Sequence, residues 1–329
     1  MNLPLRHAFR GPGLARARRR AGNVPEVDLD EGQAISGAAP EGWQIEDARE
    51  LVGELRRMGL AVDDRRDAGL AGTLDEAELA GYRVLAEHAR DAERVDWVAA
   101  GIVPGARVLD VGCGAGTTLV EMARLVEPGG TIVGLEPDSR ARVVAARVIA
   151  AEGIRNASLV AGEAEANDLP ARSFDVVMVR HVLLCCGRRA RDVVSRLCEL
   201  LRRGGCIYLV EADLAARRVV PRDEPLDDLH PRWLEWVRRQ GGDLDIGAQL
   251  GELVVECGLD LVDHSARYES FAAIPNWRGA AWNARERLVE AGLATPCDLR
   301  RWDAAFRRPD PTKRTIFLPL FRAIGRRRG

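Results

Sequence analysis

Asp110, Gly112, Gly114 and Gly116 stand at alternate positions in RVLDVGCGAGTT, residues 107–118. A run of β-formers breaks into glycines, as a parallel strand does when it enters a ligand-binding turn. Three glycines clear away side chains, so a ligand can approach the backbone. A dinucleotide turn has the spacing GxGxxG. Here the spacing is GxGxG, with an aspartate just ahead of it. A carboxylate is unfavourable beside a pyrophosphate and suits a cation. The turn therefore points away from a nicotinamide dinucleotide and toward a positively charged nucleoside that carries an amino acid.

Two more acids fit such a ligand. Glu136 ends the next apolar run, 20 residues beyond Gly116. An acid at that place accepts both ribose hydroxyls; the alternative is a solvated strand end. In AGEAEANDLP, residues 161–170, Glu163 is placed to accept from an adenine amino group, and Ala164 to offer its backbone amide. Each signal is weak alone. Their order and spacing make the case.

The elements that must position these residues are legible as alternating periods. Val108, Leu109 and Val111 form a short strand; Leu119, Met122, Ala123 and Val126 then recur as one helix face. Strands follow at 131–136, at ASLVAG, at 174–179 and at 206–212, with helices at 140–152 and around 193–201, the latter stopped by Gly204-Gly205. Strands that are apolar throughout are buried on both faces, and strand–helix alternation predicts an open, doubly wound α/β sheet. Upstream, 46–58 reads as a helix and a second helical run begins near Asp75. Downstream the alternation loosens. PRWLEWVRRQGG and 246–257 read as helices, 259–268 as a strand, and 315–324 as a closing strand in which Pro319 implies a bulge or an edge.

The stretches PGARVLDVGCGAG, IVGLEPD, GEAEANDLP, SFDVVMVRHVL and LLRRGGCIYLVEADL, between about residues 101 and 213, resemble class I S-adenosylmethionine-dependent methyltransferases, in particular the ubiquinone/menaquinone-biosynthesis-like branch with its many small-molecule enzymes. The resemblance implies a Rossmann-like, seven-stranded, mostly parallel sheet whose last strand is antiparallel. N-terminal helices and helical insertions would cover it. It implies S-adenosylmethionine as cofactor, S-adenosylhomocysteine as product, and cofactor contacts from Gly112, Gly114, Glu136 and Glu163. Asp110, Cys113, Gly116, Pro137, Gly162, Ala164 and Arg180 are expected beside them. Glu163 departs from the family's commoner aspartate. The expected organisation is an arm and helical extension at 1–75, a cofactor-binding core at 76–215, and a helical cover with the last two strands at 216–329.

Methyl transfer is an in-line displacement at a sulfonium methyl, so the protein has mainly to align three atoms, an effect worth about 7–11 kcal/mol. A base is needed only for a nucleophile that arrives protonated. His181 follows the fourth strand, and accepts a substrate proton or hydrogen-bonds locally. Glu211 and Asp213 end the fifth strand, where they attract an amine, deprotonate a hydroxyl, or serve as caps and ion pairs. In the front helix, Tyr82 is a candidate to close over the methionine end, Arg83 to pair with its carboxylate and His88 to face the site; packing and a solvated helix face compete. Trp233, Trp236, Phe271, Trp277 and Trp282 clamp an apolar acceptor or form core.

Composition narrows the alternatives. A chain of 329 residues is long enough for one large or two modest domains. A formal net charge of −2 does not favour a broad nucleic-acid face. The only lysine is Lys313, so the arginines reflect genomic base composition rather than phosphate binding. None of the seven cysteines forms a CxxC pair, which reads as reduced cytoplasmic thiols with no metal site. No apolar run is long enough to span a membrane, and the arginine-rich start lacks the apolar core of a signal peptide. The expectation is a cytoplasmic enzyme, a candidate homodimer, that methylates O or N of a small molecule of the secondary-metabolite class. The alternatives are a peptide acceptor, a non-catalytic cofactor-binding scaffold, an NAD-linked oxidoreductase and a nucleic-acid methyltransferase.

Overall fold

The computed structural model of the chain describes residues 34–35, 76–273, 279–307 and 314–328. The expected helix at 46–58 and Trp277 lie outside these residues.

A nine-stranded sheet organises the molecule. In chain order its strands are β1 (Ala34–Ile35), β2 (Arg107–Val111), β3 (Thr131–Leu135), β4 (Ala157–Val160), β5 (Phe174–Arg180), β6 (Leu201–Ala212), β7 (Arg218–Val220), β8 (Asp260–Ala272) and β9 (Thr315–Arg326). The order across the sheet is β1-β4-β3-β2-β5-β6-β9-β7, and β8 pairs with β9. β2 to β6 run parallel, and β9 is antiparallel to both β6 and β8. The seven expected strands are present. The other two are short: β1 pairs with β4, and β7 continues along β9 where β6 ends.

Pro319 is neither at an edge nor in a bulge, because it pairs with Tyr268 inside the sheet. Its carbonyl accepts from the Asp213 N–H at 3.0 Å, so the side that lacks an N–H faces the turn between β6 and β7, where the ladder is interrupted. The helix before β6 ends at Leu200, earlier than Gly204-Gly205 suggests. β6 begins at Leu201, and Gly205 accepts from the Arg327 N–H within the sheet.

The helices are α1 (Glu76–Ala100), α2 (Thr117–Val126), α3 (Ser139–Ala151), α4 (Ala190–Leu200), α5 (Glu224–Asp227), α6 (Leu229–Arg239), α7 (Ile246–Glu256), α8 (Ala280–Asn283), α9 (Arg285–Glu290) and α10 (Pro296–Arg307). α1 and α2 pack on one face of the sheet, α4 and α7 on the other. α5, α6 and α8–α10 form a helical cover with a tryptophan core. Trp233, Trp236, Trp282 and Trp302 are all buried there. For three of the five expected clamp aromatics, packing is thus the observed role, while Phe271 meets the His88 ring in a tilted contact with centroids 5.3 Å apart.

From β2 the chain steps outward through β3 and β4, then returns to the far side of β2 with β5 and β6. The reversal lies between β2 and β5. In an open α/β sheet, ligands bind beyond the strand ends at such a reversal.

Beneath α1 lies a buried acid that the sequence reading passed over. Glu93 falls on the helix stripe of Ala86, Ala89 and Trp97, and is fully buried. It accepts from Tyr208 Oη at 3.0 Å, Trp97 Nε1 at 3.3 Å, and Arg180 Nη2 and Nε at 3.0 and 3.2 Å. The next acid along, Asp96, pairs with the buried Arg322 at 3.1 Å. Removing one partner of such a pair leaves the other charge uncompensated, at a cost of about 3–5 kcal/mol. Glu93→Ala is accordingly expected to lower the urea unfolding free energy by about 3 kcal/mol; a loss under about 1 kcal/mol would show that Arg180 finds water instead.

Candidate active site

The turn after β2 is built from left-handed backbone. Gly112, Gly114 and Gly116 have φ of 69°, 54° and 75°, a region that side chains disfavour. Two of them also sit at close approaches. A Cβ on Gly112 would lie 2.7 Å from Val182 Cγ2, and one on Gly116 would lie 2.9 Å from Ala145 Cβ in α3. A Cβ on Gly114 meets nothing nearer than 3.9 Å, so that position is open.

Glu136 fixes the turn from the neighbouring strand. Its Oε2 accepts from the Gly114 N–H and its Oε1 from the Asp138 N–H, both at 3.0 Å. Its carbonyl accepts from Arg142 Nη1 at 2.5 Å, and the side chain is fully buried. Asp138 in turn caps α3, accepting from the Arg140 and Ala141 amides. Asp110 lies under the turn with Oδ2 buried and without a hydrogen-bond partner. Burial pushes its carboxyl up to about 7, against the pull of Arg180 and with a further push from Glu136.

A partly open cleft, with about 480 Å³ of empty space that includes open solvent, lies beside the turn. Val111 and Gly112 form its floor, Leu135 and Pro137 one wall, residues 162–165 the rim, and Val182, Cys185, Cys186 and Arg189 the opposite wall. The rim is pinned by Asn167, whose Nδ2 donates to the Glu163 and Ala164 carbonyls at 3.3 and 3.1 Å. Glu165 and Arg189 pair across the mouth.

The opposite wall is positioned by Glu211. Its Oε1 accepts from the Leu183 and Leu184 amides at 2.6 and 3.3 Å, which holds the short helical turn at Leu183–Cys185. Burial pushes this carboxyl up to about 8, and the backbone donors offset only part of that. His181 is adjacent, with Nδ1 3.9 Å from Glu211 Oε2. It has a left-handed φ of 59°, uncommon for a non-glycine residue. Its ring is buried, with Nε2 unpartnered. Burial, then the Arg180 charge, holds it well below the usual histidine range, so it is neutral at pH 7.

Of the residues proposed from sequence, Gly112, Pro137, Gly162, Glu163 and Ala164 line the cleft. Asp110, Gly114, Gly116 and Glu136 build the turn beside it. Others are engaged elsewhere. The Cys113 thiol points into the core, within 2.7 Å of where a Gly134 Cβ would stand. Arg180 is held by Glu93. Asp213 Oδ1 accepts from the Ala216 N–H at 2.9 Å and so shapes a turn. Arg83 faces Glu152 at 3.5 Å. Glu152 follows α3, roughly 20 Å along that helix from the end nearest the turn. His88 faces Glu269 at 3.4 Å, and Tyr82 packs against the core.

Leu135, Val182, Cys185, Cys186, Glu165 and Arg189 were not read from sequence as site residues. The available signal was adjacency: if β5 lies next to β2, the residues after β5 must face the glycine turn.

Among the described residues no group of metal-ligating side chains occurs, and no helix is long and apolar enough to cross a membrane. A family model described as a methyltransferase domain matches residues 108–205, which span β2 to the start of β6. This segment is a methyltransferase domain. Aklanonic acid methyltransferase DauC of Streptomyces sp. is 35% identical to the methyltransferase segment over 32% of this chain and 47% of its own. Nocamycin O-methyltransferase of Saccharothrix syringae is 43% identical over 22% of this chain and 26% of its own. The chain thus spans less than half the length of these curated relatives. An uncharacterized 37.1 kDa protein in transposon TN4556 of Streptomyces fradiae is 26% identical over 69% of this chain and 65% of its own. YcgJ of Bacillus subtilis superposes with a TM-score of 0.48 at 17% identity, over 73% of this chain and 99% of that one.

The raised carboxyls give the methyltransferase domain a defined pH response. Between about 4.5 and about 8 the unfolded chain releases the Glu211 proton while the folded chain retains it. The folded state then binds more protons, so stability falls as pH rises through that window. Glu211→Gln keeps a carbonyl acceptor for the Leu183 and Leu184 amides and has no proton to lose. The fall in Tm from about pH 5 to about pH 8 is expected to be shallower in this variant, with Asp110 supplying the remainder. An equal or steeper fall would place the proton elsewhere.

Proposed function

We propose that the chain is an S-adenosylmethionine-dependent methyltransferase that acts on an O or N atom of a small molecule in the cytoplasm. The carrying observation is the open left-handed turn at Gly114, set between the unpartnered buried Asp110 oxygen and an apolar cleft. These residues fit the cofactor. The apolar walls suit a purine, and Glu163 is a hydrogen-bond acceptor at the rim. The Asp110 carboxylate suits the cationic end. When bound, the cofactor supplies a methyl group on a positively charged sulfur.

The chain's own residues then bind and orient. Glu136, whose carboxylate already accepts from the Gly114 and Asp138 amides, would take the ribose hydroxyls in exchange for part of that bonding. Because Glu136 is fully buried, the Gly112–Gly116 turn has to draw back for the ribose to reach it. The 182–189 segment, held by Glu211, closes the other wall and keeps water from the apolar cleft. His181 is neutral with Nε2 unpartnered, so it can accept a hydrogen bond from an acceptor hydroxyl or ammonium, while burial and the Arg180 charge disfavour its keeping the proton. Two relatives are named for aklanonic acid and nocamycin, which supports a small-molecule acceptor. The unpaired cysteines support a reducing compartment.

Titration calorimetry with S-adenosylmethionine tests the reading. Saturable one-site binding is expected for the wild type. Gly112→Ala, which drives a methyl group toward Val182 in a left-handed position, is expected to weaken binding at least tenfold, or about 1.4 kcal/mol. Absence of binding by the folded wild-type protein would reject the proposal.

A further inference from the structure

Away from the cleft, two helices bring sulfur groups together. Cys257 follows the last turn of α7, and its side chain lies against α4. Its Sγ is 3.3 Å from Ser195 Oγ and 3.8 Å from the Arg191 carbonyl oxygen. The Cys198 thiol is its neighbour, one turn beyond Ser195 on α4. Ser195 and Cys198 are three apart on α4, so both present to the same neighbour. Arg191, on the same helix, pairs with Glu256 at 3.4 Å and sets a guanidinium beside the cluster. Cys198 is buried and Cys257 only half-buried. Solvent therefore reaches one thiol, and a second is sheltered directly behind it.

The surroundings activate the outer sulfur. The neighbouring Cys198 and Ser195 pull the Cys257 thiol down to about 6 against burial, which favours its thiolate. Cys198 is pushed the other way, by the neighbouring Cys257 and by burial. An accessible thiolate with a resolving thiol in contact is the arrangement that peroxides oxidise reversibly.

We propose that Cys257 and Cys198 form a peroxide-oxidised dithiol whose disulfide staples α7 to α4. The Cys257 sulfur attacks one peroxide oxygen and the O–O bond breaks. Hydroxide leaves and is protonated to water, and Cys257 becomes a sulfenic acid. The Cys198 sulfur, on losing its proton, attacks the sulfenic sulfur. The S–O bond breaks as the S–S bond forms, and the released hydroxide takes that proton. Two thiols are oxidised, and one peroxide is reduced to two waters. α4 directly follows the 182–189 segment that walls the cleft, so the staple fixes the helix that carries that wall.

The test is peptide mapping by mass spectrometry of the reduced full chain after brief exposure to near-stoichiometric hydrogen peroxide, with the remaining thiols alkylated. Cys297, the exposed thiol of α10, is the internal control. A Cys198–Cys257 peptide pair two hydrogen atoms lighter than its reduced form is expected, reversed by dithiothreitol, with Cys257 consumed at least tenfold faster than Cys297. In Cys198→Ala, dimedone is expected to trap a sulfenic acid at Cys257. Oxidation of Cys297 first, or a folded wild-type chain that forms no Cys198–Cys257 pair, would overturn the proposal even if the variant fails to fold.

Discussion

The Glu136 carboxylate ties two strand ends together, and the site takes its shape from that tie. One oxygen holds the amide of Gly114 in the turn after β2; the other holds the amide of Asp138 at the start of α3. Both are charge-assisted bonds in a fully buried setting, where such bonds are strong and costly to leave unmade. In this structure the left-handed backbone at Gly112, Gly114 and Gly116 is thereby held closed over Glu136, and Asp110 Oδ2 stays buried without a hydrogen-bond partner.

Glu211 repeats the device on the facing wall, with its carboxyl gripping the amides of Leu183 and Leu184. Glu93 does so below, gathering Arg180, Tyr208 and Trp97. Glu136 and Glu211 thus fix loops that the sheet itself leaves free, and Glu93 ties α1 to β5 and β6 beneath them. Their environments differ in charge. Glu93 pairs directly with the Arg180 guanidinium, whereas Glu211 bonds to amides and feels Arg180 only at a distance, and burial accordingly holds it protonated into the neutral range. The result is a rigid floor beneath a turn whose outer side, at Gly114, is open.

Much of this was legible in the sequence. Strand and helix periods gave the parallel core, and the glycine spacing with its leading acid located the turn. What was not legible depends on long-range placement. Val182, Cys185 and Cys186 look like an apolar run until β5 is known to lie against β2. Arg83 and Arg180 carry charges suited to a carboxylate ligand, yet each has a protein partner that only the packing of α1 supplies. Glu93 was detectable as an acid within an apolar helix stripe, a pattern that predicts burial with partners. Pro319 was misjudged because a proline is tolerated inside a sheet wherever the neighbouring ladder is interrupted, and that interruption is a property of the turn between β6 and β7.

The central claim is that the turn governed by Glu136 and the adjacent cleft form one nucleoside site. A crystal structure of the complex with S-adenosylhomocysteine tests it most directly. The account predicts the adenine between Pro137 and Val182, with its amino group toward Glu163 and the ribose hydroxyls on Glu136. Density for the ligand at any other place, or in the cleft with Glu136 still closed against Gly114 and out of reach of the ribose, would contradict it.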